Sequence, residues 1–263
     1  MTAGSRRIVG LWVLTAAIMA AAAPASAQAQ TQPAEPPPGA KVTEEGWFAP
    51  PQRGRELPPL GEEVTSAFVI PLREEITPKT AAAMERKFLR CRAQGAELIV
   101  IDMDTPGGRV GATLDITGLI KEEFPDIRVV CFVRTEAISG GAFVAMACDQ
   151  IVMTPIGKFG DCAPITLQGT LEGVRREKIE SYLREEMEES ARLNGYWVPL
   201  AQSMVSAHLE VWLIRHKRTR ELRYVLRDDW RGRVDAPQGV TTAPTSSRAE
   251  WELVEVTVRE GEL

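Results

Sequence analysis

Ala137-Ile138-Ser139-Gly140-Gly141-Ala142 stands between two apolar runs, Val129-Val130-Cys131-Phe132-Val133 before it and Phe143-Val144-Ala145-Met146-Ala147 after it. The first run is short and β-branched, as a buried strand is; the second reads as the opening turns of a buried helix. A strand that feeds a helix through Ser-Gly-Gly puts Ser139 at a sharp corner, beside N–H groups that have no partner within the helix. Gly140 and Gly141 let another backbone or a substrate come close. Two roles suit a serine at such a corner. It can cap the helix, or it can act as a nucleophile if something takes its proton.

The same alternation extends to both sides. Toward the N-terminus, Ser66 to Leu72 reads as a first strand, and Thr77-Pro78 opens a helix with an N-cap residue and Pro at the first helical position. That helix puts Ala81, Met84 and Phe88 on one face and stops near Gly95. Leu98 to Met103 is a strand apolar enough to be covered on both faces. It ends in the turn signal Asp104-Thr105-Pro106-Gly107-Gly108, followed by a helix from Val110 to Glu123. Beyond the Ser139 turn, Gln150 to Met153 is another short strand. Strands alternating with helices predict an α/β fold with a mostly parallel sheet, whose sites form at the carboxyl ends of the strands. Ser139 and Gly107-Gly108 both fall there. A long polar helix is expected from Leu171 to Asn194, a short one from Val198 to Val205, and strands at Leu209 to Leu213 and Trp251 to Val258, with a polar stretch between the last two.

The termini carry a different composition. Arg6-Arg7, the apolar run from Ile8 to Ala23 and the small residues Ala25-Ser26-Ala27 make a signal peptide over residues 1–27, with cleavage expected after Ala27 and export of the mature protein. Left uncleaved, the same run would be about long enough to anchor the chain in a membrane. Residues 28–63 hold eight of the chain's 18 prolines, in Pro36-Pro37-Pro38, Pro50-Pro51, Pro58-Pro59 and Pro33, and read as an extended linker. Residues 64–263 are then the folded domain. The formal charge of −5, with Lys and Arg scattered, leaves no nucleic-acid footprint. The four cysteines, Cys91, Cys131, Cys148 and Cys162, match no zinc spacing. Cys131 and Cys148 lie in apolar segments, which favours free buried thiols and at most one bridge.

A serine hydroxyl needs a base. His208 and His216 lie far downstream in a polar segment, away from the strand ends, so a Ser-His-Asp triad is not expected. A lysine can serve when burial disfavours its charged form and lowers its pKa well below about 10.4. Lys178 falls one helical turn from both Val174 and Tyr182, which would partly desolvate it, although Arg175 and Glu186 share that face. A snorkelling surface lysine is the ordinary alternative, and Lys158, in the Gly157–Gly160 loop, is a rival base. The N–H groups of Gly108 and Gly140 could stabilise a developing oxyanion. Asp102 and Asp104 read as residues that fix the turn.

Asp104-Thr105-Pro106-Gly107-Gly108, Ala137-Ile138-Ser139-Gly140-Gly141-Ala142 and Asp149-Gln150-Ile151-Val152-Met153-Thr154-Pro155-Ile156-Gly157 together resemble the ClpP/crotonase superfamily. Within it they resemble the NfeD-type membrane-associated serine peptidases, related to signal peptide peptidase A. The resemblance runs from Ser66 to the C-terminus. It implies a spiral of ββα units and a serine endopeptidase with a Ser/Lys dyad, Ser139 and Lys178, and with Gly108 and Gly140 as the oxyanion hole. It implies no metal or organic cofactor. It also implies homo-oligomers and substrates that are peptides or hydrophobic, membrane-proximal segments, with stomatin-like proteins as partners. Family members usually carry Ser-Ala-Gly where this chain has Ser139-Gly140-Gly141, and the family segment continues into a further helix, so the C-terminus reads as truncated. Two other functions fit the same fold: a crotonase-like acyl-CoA enzyme, which would need no lysine, and a non-catalytic scaffold.

Overall fold

The computed structural model describes residues 36, 38–49, 52–57, 60, 63–165, 173–232 and 250–259. The signal peptide over 1–27, the first residues of the linker and the start of the long helix lie outside the described residues. In chain order the elements are β1 (Lys41–Val42), β2 (Trp47–Phe48), β3 (Ala67–Leu72), α1 (Pro78–Ala93), β4 (Leu98–Thr105), α2 (Val110–Gly118), β5 (Arg128–Ile138), α3 (Gly140–Ala147), β6 (Gln150–Met153) and β7 (Lys158–Gly160). They continue with α4 (Gly173–Asn194), α5 (Val198–Ser203), β8 (Val211–His216), β9 (Glu221–Leu226), α6 (Arg227–Gly232) and β10 (Trp251–Val258). One π-helical turn, Leu119–Glu123, follows α2.

β3, β4, β5 and β6 form a parallel sheet in that order, and β7 pairs with the far end of β5. This is the mostly parallel α/β fold that the alternation predicts. α1 starts where expected: Thr77 is the N-cap, its hydroxyl accepting the Thr80 N–H at 3.2 Å, and Pro78 sits at a position whose N–H would be unpaired anyway. Ile99, Ile101 and Met103 of β4 and Val129, Cys131 and Val133 of β5 turn into one core with Met84, Phe88, Ile116 and Phe124. Strands covered on both faces have little use for polar alternation, which is why they read as continuous apolar runs.

α4 is held against α3 by a second cluster, in which Leu183, Met187 and Ala191 meet Ala142, Phe143 and Met146. Asn194, at the end of α4, donates its side-chain amide to the carbonyls of Met146 (2.9 Å) and Ala147 (3.1 Å), satisfying acceptors that the last turn of α3 cannot use. Lys121 ties the π turn to Glu186 and Glu189 of the same long helix.

The second sheet has the order β1-β2-β9-β8-β10. It was only half legible. The strands near 209 and 251 were expected, whereas β9 lies in the stretch read as polar, and β1 and β2 lie in the stretch read as linker. Phe48 is buried against Leu213 and Leu222, and its ring stacks on Tyr224. From the same stretch Arg55 pairs with the buried carboxylate of Asp149, which also accepts the Val129 N–H at 2.7 Å. A buried carboxylate needs such partners, since desolvation without them costs several kcal/mol. Trp47, Phe48 and Arg55 thus contribute to the fold more than an extended linker would. All four cysteines are buried free thiols.

Candidate active site

β5 runs on to Ile138, and Ser139 makes the corner into α3 with φ 51° and ψ −117°. A positive φ is unfavourable for a residue with a Cβ, and strain of this kind persists only where the surroundings hold it. The surroundings do so through hydrogen bonds to its backbone. The Ser139 N–H donates to the Gly160 carbonyl at 2.8 Å, and the Ser139 carbonyl accepts the Ala142 N–H at 3.0 Å and the Cys162 thiol at 3.6 Å. The hydroxyl makes no capping hydrogen bond. A capping serine has extended backbone, and this corner does not, so the capping role gives way.

The Gly107-Gly108 loop lies directly on this corner. Gly107 has φ 97°, and a Cβ on it would stand 2.7 Å from both Gly140 N and Ile138 O and 2.8 Å from Ser139 Cβ. A Cβ on Gly108 would fall 2.1 Å from the Ile76 carbonyl oxygen. Only glycine permits that packing. The loop is fastened by Thr105, whose hydroxyl donates to Glu74 O at 2.6 Å and accepts the Gly107 N–H at 3.2 Å. Asp102, expected to fix the turn, is instead bound by Arg73 and Arg134, joining β3, β4 and β5 one step earlier. Burial alone would raise its pKa, but the two arginine hydrogen bonds outweigh that and hold its carboxyl below the usual carboxylate range.

Gly108 and Gly140 lie side by side: the spot that a Cβ on Gly140 would occupy is 3.4 Å from Gly108 N. The Gly140 N–H is the first of its helix and has no intrahelical acceptor. A cavity of about 60 Å³ opens beside Ser139, with Val110, Leu114, Phe143, Ile165 and Leu183 supplying apolar walls. Cys162 also lines it, but burial and the charge of Asp161 push its thiol far above the ordinary value, which disqualifies it as a thiolate nucleophile.

The expected bases are not part of this cavity. Lys178 is exposed, and so are its neighbours Val174 (75%) and Tyr182 (49%), so the apolar stripe thought to desolvate it faces outward. The core-facing stripe of α4 is Leu183, Met187 and Ala191. Lys158 is exposed on β7, paired in register with Glu136. Among the described residues that line the cavity there is no lysine, histidine or carboxylate. Lys121 has a side chain only 6% exposed, but Glu186 and Glu189 outweigh its desolvation and raise its pKa, the opposite of what a base needs. His216 accepts the Thr219 N–H at 3.1 Å and packs on Trp251 in the second sheet, and His208 lies 3.9 Å from Glu180. Neither lines the cavity beside Ser139. Among the described residues no cluster of His, Cys, Asp or Glu is placed to hold a metal ion.

The fold and this corner define an α/β protein with a strained serine that shares a cavity with Gly108 and Gly140. The chain belongs to the family described as NfeD1b, N-terminal domain, whose model matches residues 66–225. It is 33% identical over 133 residues to membrane protein NfeD1b of Bacillus subtilis (51% of this chain, 29% of that protein). It is 28% identical over 148 residues to the membrane-bound protease PH1510 of Pyrococcus horikoshii (55% and 33%). The matched part therefore spans about a third of the length of these curated relatives. Among solved structures, a mutant of the 1510-N membrane-bound stomatin-specific protease is similar with a TM-score of 0.48 and 27% identity, over 53% of this chain and 69% of that one. Among the described residues no helix is long and apolar enough to cross a membrane.

Proposed function

We propose that this chain is an exported serine endopeptidase that cleaves hydrophobic or membrane-proximal segments of peptides and membrane proteins. The observation that carries the reading is the Ser139 corner, where a strained serine with an uncommitted hydroxyl stands beside the N–H groups of Gly108 and Gly140. The similarity to a membrane-bound protease supports the class of activity, and the apolar cavity walls suit a hydrophobic side chain. Ser139 Oγ attacks the peptide carbonyl carbon while the neutral amine of Lys178 takes its proton. The Gly108 and Gly140 N–H groups receive the oxyanion. Lys178 then returns the proton to the leaving amine, and water hydrolyses the acyl-enzyme by the same steps. A homo-oligomer and a stomatin-like substrate belong to the same reading.

One observation favours a second reading, a non-catalytic scaffold: no group able to act as base lines the described cavity. Labelling by a fluorophosphonate separates the two. Wild type is expected to label, with labelling lost in Ser139→Ala and cut sharply in Lys178→Ala. Loss with Ser139 alone moves the base to Lys158, tested by Lys158→Ala. A folded wild type that does not label rules out the serine-peptidase reading and favours the scaffold.

A further inference from the structure

We infer that the hydroxyl of Thr113 is a third donor to the oxyanion, a catalytic group of this site beyond the Gly108 and Gly140 N–H pair; the inference rests on the serine acyl-transfer reading above. Thr113 sits in α2, is 3% exposed and lines the same cavity as Ser139. Its Oγ1 is buried with no hydrogen-bond partner among the described residues. A buried hydroxyl in a helix has an easy remedy, because it can bond a carbonyl one turn back. Thr117, one turn further along α2, takes that remedy, donating to Leu114 O at 3.0 Å. Thr113 does not; its hydroxyl stands against Gly140 instead.

The position is specific. The point where a Cβ on Gly140 would sit lies 2.4 Å from Thr113 Oγ1 and 3.4 Å from Gly108 N. The hydroxyl thus reaches the space that an alanine methyl at position 140 would fill, so only glycine fits there. Three donors, two N–H groups and one O–H, converge beside Ser139. A donor left unsatisfied in the resting enzyme costs stability there, and is rewarded only when negative charge develops on the substrate oxygen.

The test compares wild type, Thr113→Val and Thr113→Ser by β-lactone acylation kinetics and thermal melting. Thr113→Val, nearly isosteric, is expected to slow the acylation step about 10- to 100-fold with little change in probe affinity, and to melt at a higher temperature because the unsatisfied hydroxyl is gone. Thr113→Ser is expected to acylate within a few-fold of wild type. Thr113→Val acylating at the wild-type rate overturns the inference and leaves the serine reading intact. So does Thr113→Val melting at a lower temperature, or Thr113→Ser as slow as Thr113→Val, since either assigns the residue to packing. Wild type that fails to label, or labelling that survives Ser139→Ala, is a failure of the underlying reading instead.

Discussion

The two halves of the proposed dyad are built very differently. Ser139 is held from all sides: a backbone hydrogen bond to Gly160, the Gly107 backbone packed against its Cβ, and the fully buried helix α3 behind it. Lys178 stands on an exposed turn of α4, flanked by exposed Val174 and Tyr182. The Ser139 corner and the Gly107-Gly108 loop on it are packed into the core formed by the parallel sheet and α3. The lysine owes nothing to the core. The two residues should therefore respond in opposite ways to substitution, and the contrast can be broken experimentally.

The largest expected effect is at the exposed partner. Lys178→Met should leave the melting temperature within error, since exposed substitutions away from special features change stability by less than about 0.5 kcal/mol. Acylation should nevertheless fall about 10²- to 10⁴-fold, the usual contribution of a positioned base. A Lys178→Met protein that acylates normally would remove the lysine from the mechanism. At the buried partner the order reverses. Gly107→Ala forces a Cβ against Gly140 N and Ile138 O and places alanine at φ 97°, which should cost about 3 kcal/mol of folding stability or more. Urea unfolding measures it, and an unchanged midpoint would mean that the loop does not rest on the serine corner as described.

The core half was also the legible half. β4, β5, α3 and β6 are continuous apolar runs broken by turn residues, so their order and their carboxyl ends could be read directly. The turn at Gly107-Gly108 and the serine it covers followed from that order. What could not be read depends on contacts distant in sequence. Trp47 pairs in register with Glu221 and Phe48 with Leu222, strands too short and too polar to announce themselves. Only the aromatic pair Trp47-Phe48 hinted that the proline-rich stretch had a docking segment. The α4 error has a clearer cause. Val174, Lys178 and Tyr182 share helical spacing, but so do Leu183, Met187 and Ala191, and the second stripe meets α3. Choosing between two stripes needs the neighbouring helix. Thr105 and Thr113 were overlooked for the opposite reason: a single threonine in an apolar segment carries no pattern, though a buried hydroxyl always poses the question of its partner.

A smaller effect separates strain from function at the corner itself. Ser139→Gly removes the Cβ that makes φ 51° unfavourable. It should raise stability by about 1 kcal/mol after the extra chain entropy of glycine is counted, while abolishing acylation. A serine held only for packing would show the reverse. Calorimetry on the variant beside Ser139→Ala, which keeps the Cβ, isolates the backbone contribution.

The smallest expected effect lies in the scaffold behind the site. Asp102 on β4 is grasped by Arg73 and Arg134, and its carboxyl is held below the ordinary range. A carboxylate with a depressed folded pKa contributes stability that is fully present above its unfolded value, near 3.9, and is lost as pH falls from there through the folded value. Both arginine side chains are about half exposed, 51% and 50%, so they can be resolvated when Asp102→Asn removes the charge, and the loss should be only about 1 kcal/mol at pH 7. Urea midpoints of wild type and Asp102→Asn should differ equally at pH 7 and pH 5 and converge below pH 4. A difference that persists unchanged into acid would assign Asp102 to shape and not to charge.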